Sequence, residues 1–357
     1  MMKIKIKRLS YLALSIGLLA GCSKNDDAPY VPPLIEGSQT VALGENFENQ
    51  VFVNLAKQEL ISVSSGSWDL AFQSSGGTAI RVNTGKKSSV YLTGTTDFDA
   101  VTTAPGAVSF AYDEPEAMSD PSKTAIGEWG NDGTSKNLVY VINLGNNPPA
   151  SSNPIGYKKM QVQGYADGVY TIRYANLDGS EEAMAQIPVN EQTNFTYYSF
   201  ADGVVTVEPN KDSWDLAFAG VTVAGGGPPG SFTTSFAVIS NTLNGTRVAE
   251  DDPGKDLADS DIPEDPINQL PDDASNYEQI TKADYERLGG SDNPLEIGRD
   301  WYQILKPHQD GVYKVYSWRT YIVKTAADEY FKLKFTAYKS VETGKKGYPS
   351  FQYQELQ

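Results

Sequence analysis

Histidine and cysteine are nearly missing from this 357-residue chain, which has one of each, His308 and Cys22. A single cysteine excludes an intrachain disulfide. One imidazole and one thiol together remove most zinc sites and most activated-nucleophile schemes. Basic residues are outnumbered, 29 Lys and Arg against 45 Asp and Glu. The resulting charge of -16 repels phosphate backbones and argues against a nucleic-acid partner. It also matches anionic lipid headgroups poorly, so membrane attachment needs another device. Past the N-terminus no run of about 18 apolar residues occurs, and no spanning helix is expected. Gly-x-Ser-x-Gly, Walker A and His-Glu-x-x-His motifs are absent. Among so many acids no carboxylate pair stands out as a glycosidase couple. The chain does not read as an enzyme.

What is present begins with a targeting segment. Lys3, Lys5, Lys7 and Arg8 precede a short apolar core, Leu12 to Ala20, which ends in Leu18-Leu19-Ala20-Gly21-Cys22. The core is about half a membrane span. The small residues before the cysteine resemble the lipobox of bacterial lipoproteins, which implies a signal peptide over 1–21 and a fatty-acylated, palmitate-type anchor on Cys22. Residues 22–37 are polar and proline-rich and read as a tether. Lys24 to Asp27 looks like the acidic export signal of Bacteroidota lipoproteins. The expected location is therefore the outer membrane, facing the cell exterior.

From Gln39 onward the pattern is short strands and turns. The 21 Tyr and 32 Gly favour an all-β, antiparallel fold. Only Asp113 to Ser119 and Ala283 to Leu288 suggest helical turns. Glu250 to Asp273 holds ten acids, four prolines and one lysine, and reads as a long solvated loop. Asp256, Asp259, Asp261, Glu264 and Asp265 are calcium-type ligands, but their spacing is not that of an EF-hand loop.

The strongest signal is internal repetition. Ser67-Trp68-Asp69-Leu70-Ala71-Phe72 recurs 146 residues later as Ser213-Trp214-Asp215-Leu216-Ala217-Phe218. The preceding stretches also correspond, Phe52 to Ala56 with Tyr197 to Ala201. Downstream, Met160 to Leu177 parallels Tyr321 to Tyr338. Two tandem β domains are expected, 38–187 and 188–357, with the acidic loop 250–273 inserted in the second. In each motif Trp, Leu and Phe are expected on one core-facing side of a strand. The other side is expected to carry Asp69 or Asp215, accepting backbone N–H groups or facing a basic residue.

The run from Trp68 to Phe72, through Ile80-Arg81-Val82-Asn83-Thr84-Gly85 to Asp97-Phe98-Asp99-Ala100-Val101-Thr102, resembles the start of HmuY-type proteins. Trp301-Tyr302-Gln303, Lys306-Pro307-His308, Tyr321 to Lys324 and Tyr330 to Phe335 resemble their C-terminal half. The resemblance implies two HmuY-like copies and haem capture at the surface of Bacteroidota, with transfer to a TonB-dependent outer-membrane receptor. It also implies axial ligands from two loops, which are two histidines in the best-understood members. One histidine cannot form that pair. The candidates are His308 for the second loop and Met118 for the first. Tyr277 and Tyr285 are the nearest first-loop positions in the second half, and Met160 reads as core. Another hydrophobic or planar ligand, or a non-haem surface interaction or adhesin-type module, stays open beside haem.

Overall fold

The computed structural model describes residues 34–118, 120–149, 151–224, 232–254, 275–305 and 312–357. Cys22, the tether before residue 34, His308 and acidic-loop residues 255–273, with all five calcium-type acids, lie outside the described residues.

The architecture is mostly antiparallel β-sheet, as the composition suggests. The α-helix among the described residues, Lys282–Leu288, is held by a capping box between Thr281 and Asp284. The expected turn before Ser119 is 3-10, over Pro115–Met118. Among the described residues no helix is long and apolar enough to cross a membrane.

The repeat is real in the contacts, but it does not make two tandem domains. Residues 34–357 form one compact unit. The hairpin Asn49–Asn54/Glu59–Ser64, from the first half, pairs with Leu216–Ala224, the motif strand of the second. Reciprocally Phe195–Ser199, from the second half, pairs with Leu70–Gln73, the motif strand of the first. The registers correspond: Phe52 faces Ala217 and Tyr197 faces Ala71. Each motif strand alone would leave an open edge of unpaired N–H and C=O groups, and the other half's strand closes it. The first and last described strands pair as well, Glu36–Thr40 with Ser350–Leu356.

The equivalences extend to side chains. The Asp69 carboxylate accepts the N–H of Phe200, and that of Asp215 accepts the N–H of Leu55, both at 2.8 Å. Asn83 Nδ2 donates to the carbonyls of Ser65 and Trp68, while Asn241 Nδ2 donates to those of Lys211 and Trp214. In the downstream hairpins Asp167 and Asp328 both occupy left-handed turn positions, with φ of 51° and 64°, a region that Asp tolerates better than most residues.

Three of the buried clusters receive the motif residues. Leu70 and Phe72 join a core, mostly of first-half residues, that includes Met160, and Leu216 and Phe218 join a core around Trp301 to which Val41, Leu43, Phe47, Val51, Val53 and Leu55 of the first half also contribute. The expected single face for Trp, Leu and Phe is not found. Trp68 and Trp214 turn away from those cores into a third cluster, shared by both halves, with Ala71 and Ala217. The strand begins only at Leu70 or Leu216, after a 3-10 turn. Strict alternation therefore does not reach back to the indole. In the shared cluster Phe52 packs edge-on against Trp214 at 5.2 Å, and Tyr197 against Trp68 at 5.0 Å.

The start of the acidic stretch is docked rather than solvated. Arg319 pairs with Glu250 at 2.8 Å and with Asp252, and Trp318 Nε1 donates to Asp252.

Candidate functional site

Three adjoining cavities run out from the shared cluster. The innermost, about 60 Å³, lies between Trp68 and Trp214, with Arg81, Met118 and Glu208 on its wall. The second, about 140 Å³, shares Arg81, Thr84, Met118, Val221 and Ile239 with the first and reaches Arg299 and Asp300. The outermost, about 500 Å³, shares Arg299 and Asp300 and is lined by Tyr302, Tyr313 and Tyr338. Tyr313 and Tyr338 stack in parallel, with ring centres 4.0 Å apart and planes 3° apart. Tyr302 and Tyr313 belong to the strands Tyr302–Leu305 and Val312–Val315, which flank the chain segment containing His308.

Of the candidate ligands, Met118 is the one brought to a cavity among the described residues. It is buried between the first two cavities and packs in the shared aromatic cluster. Tyr277 and Tyr285 line none of these three cavities. Tyr277 lies under the ammonium groups of Lys332 and Lys334, each 4.7 Å from its ring. Tyr285 packs edge-on against Tyr330. Both serve the second-half sheet, and spacing alone could not show which side of the chain they face. Met160 is fully buried in the first-half core.

Two charged residues of the innermost cavity, Glu208 and Arg81, are not among the candidate site residues of the sequence, although Arg81 lies in the Ile80 to Gly85 run of the family resemblance. The Glu208 carboxylate accepts the N–H groups of Asn194 and Phe195, Asn194 Nδ2 and Trp214 Nε1. Burial outweighs these donors and pushes its carboxyl up to about 7. Arg81 stands 3.9 Å from Asp113, whose carboxyl is raised by burial to about 6 while accepting the N–H groups of Val82 and Ala125. The one signal available was the alternation Ile80-Arg81-Val82, which aims Arg81 opposite to two core residues.

Glu208 yields a pH prediction. A carboxyl raised in the folded state holds its proton there between about 4.5 and 7 while the unfolded chain has lost it. Its contribution to stability is full below the unfolded value and is lost as pH rises through about 7. The total is about 3 kcal/mol. Asp113 and Asp215, each raised to about 6, act in the same direction. Urea unfolding of Glu208→Gln at several pH values is expected to show a shallower fall in stability over this window than the unmodified protein. Equal slopes would mean that Glu208 ionises normally. The comparison rests on slope, because Gln also loses the acceptor for Phe195.

The class defined by this geometry is an all-β protein with aromatic-walled cavities where two halves of an internal repeat interlock. The chain belongs to the HmuY family, whose profile matches residues 46–178 and 191–353 as one family match spanning the chain. The expectation of two complete HmuY copies is thereby corrected, in agreement with the exchanged strands. Among solved structures the chain is similar to an apo HmuY analogue of Tannerella forsythia, at 11% identity over 92% of this chain and 98% of that one, with a TM-score of 0.30. A HmuY-like protein of Bacteroides vulgatus, a candidate haem binder, matches at 10% identity over 89% and 91%, with a TM-score of 0.24. A candidate lipoprotein of Bacteroides fragilis matches at 15% identity over 54% and 91%, with a TM-score of 0.20. No curated protein matches.

Proposed function

We propose that this chain is a non-catalytic, ligand-capturing lipoprotein of the HmuY family. It is anchored through Cys22 on the outer membrane, faces the exterior and takes up a planar, carboxylate-bearing ligand, haem being the leading case. A TonB-dependent outer-membrane receptor is the proposed recipient. The observation that carries this reading is the tyrosine-lined cavity of about 500 Å³ adjoining the Met118 cavity. Its volume falls in the range of ordinary ligand sites, roughly 300–1,000 Å³. Its stacked phenol rings suit a flat ligand, and Arg299 and Lys346 on its wall suit carboxylates.

The residues fit haem in kind. Iron accepts Met, His or Tyr as axial donors. Met118 provides a thioether on a cavity wall among the described residues, and His308 is the proposed second donor. Tyr338 is a poor phenolate donor, because burial raises its hydroxyl well above the ordinary value. The two inner cavities, which Met118 lines, are too small for a tetrapyrrole as they stand, so a ring seated in the outer cavity meets the Met118 thioether only where the shared wall at Arg299 and Asp300 opens.

Haem titrated into the protein is expected to give a saturable Soret shift. The affinity should fall at least tenfold in Met118→Ala or His308→Ala. No shift with either oxidised or reduced haem would transfer the chain to the alternative role, a surface interaction or adhesin-type module without ligand transport.

A further inference from the structure

The two repeat tryptophans are equivalent in sequence and in ring packing, but their indole N–H groups are not used alike. Trp214 Nε1 donates to the Glu208 carboxylate at 3.2 Å. Trp68 Nε1, on the wall of the same cavity, is buried and has no hydrogen-bond partner among the described residues. Neither does the hydroxyl of Ser65 or Nε of Arg81, both also buried on that wall. Arg81 is the more telling residue. Its side chain is only 16% exposed, its one ion-pair neighbour, Asp113, is 3.9 Å away, and its guanidinium lies 5.4 Å from the Phe195 ring. A guanidinium has five N–H donors in a fixed fork suited to a carboxylate. Asp113 cannot turn to meet it without releasing the N–H groups of Val82 and Ala125.

One side of this cavity thus already shows how a carboxylate is held, by an indole N–H and neighbouring N–H groups around Glu208. On the other side of the lining stand Trp68, Ser65 and Arg81, whose indole N–H, hydroxyl and Nε have no hydrogen-bond partner among the described residues; the nearest acid, Asp113, is 3.9 Å from Arg81 Nε. We propose that Trp68, Ser65 and Arg81 form a subsite for the carboxylate of an exogenous organic acid, with the body of the ligand extending past Met118 into the second cavity. The sizes agree. The inner cavity of about 60 Å³ takes an acid head but not a ring; a water's share of liquid volume is about 30 Å³. The second cavity, about 140 Å³, opens from the same Arg81 and Met118 wall. The subsite does not depend on haem being the ligand.

The test follows the five tryptophan indole N–H resonances by nitrogen-15 correlation spectroscopy, with Trp68 assigned from Trp68→Phe. Benzoate is expected to move the Trp68 resonance saturably and to leave Trp129, Trp301 and Trp318 in place, while the neutral isostere benzamide moves none. Arg81→Gln should weaken the benzoate response at least tenfold, with Arg81→Lys between. Unmoved Trp129 and Trp301 resonances report that the variant is folded; if it is not, the benzoate and benzamide comparison in the unmodified protein decides. A Trp68 signal that ignores benzoate, or follows benzamide equally, overturns the proposal. So does a folded Arg81→Gln with undiminished response. Gallium protoporphyrin and its dimethyl ester identify the source. A Trp68 response to the diacid alone assigns the subsite to a tetrapyrrole carboxylate. A response to benzoate but to neither porphyrin assigns it to small free acids. Both results uphold the site.

Discussion

Produced separately, residues 34–189 and 190–357 are expected to show no cooperative thermal transition, and mixing them is expected to restore one. Separation removes one of the two ladder partners of each motif strand, Leu70–Gln73 and Leu216–Ala224, leaving Ile80–Val82 and Phe232–Ser240 as the others. It also divides the shared cluster, with Phe52, Trp68 and Met118 in one fragment and Phe195, Tyr197 and Trp214 in the other. Burying a large apolar side chain is worth about 1.5–3 kcal/mol. Losing these six is therefore an effect on the order of 10 kcal/mol, comparable with the whole stability of a domain, about 5–15 kcal/mol. Near-ultraviolet circular dichroism during heating reads the result directly. Independent cooperative melting of either fragment would contradict the interlocked architecture and return the chain to two autonomous domains.

Asp69→Ala is expected to destabilise the protein by about 3–5 kcal/mol. Lys86 is almost fully buried, and its ammonium lies 2.5 Å from the Asp69 carboxylate, with the Trp68 carbonyl at 3.2 Å as its other contact. Removing the acid strands a buried cation and also deprives the Phe200 N–H of its acceptor. The second half indicates the remedy. Asp215 holds Leu55 in the same way, but the position three residues beyond Asn241 is Asn244, not a lysine. A motif aspartate without a lysine is therefore compatible with this local structure. Asp69→Asn combined with Lys86→Met should recover most of the loss in denaturant unfolding, since it keeps an acceptor for Phe200 and removes the cation. A double variant as unstable as Asp69→Ala would show that the ion pair itself, rather than the stranded charge, matters.

Several features were legible in the residues alone. Tyrosine- and glycine-rich composition indicated antiparallel sheet, and the duplicated hexapeptide located equivalent positions correctly. Even the weaker match of Phe52 to Ala56 with Tyr197 to Ala201 reappears as equivalent ladder registers. Met160 was placed in the core, and the short helix near Leu288 was found. Met118 lies on a cavity wall, but Tyr277 and Tyr285 are packing residues, and Arg81 and Glu208 went unnoticed as site residues. A buried charge without a motif has no local signature, because its environment is supplied by distant strands.

By itself the sequence determined the β class and the correspondence of repeated segments, because these follow from side-chain periodicity and from identity between segments. Only the tertiary structure decided which half completes which sheet, that both tryptophans turn into a common cluster, and that one indole N–H meets an acid while its counterpart meets none among the described residues. Strand exchange and orphaned donors depend on contacts between residues more than a hundred positions apart, such as Asp69 with Phe200. Local propensity, which acts over a few neighbours, carries no information about them.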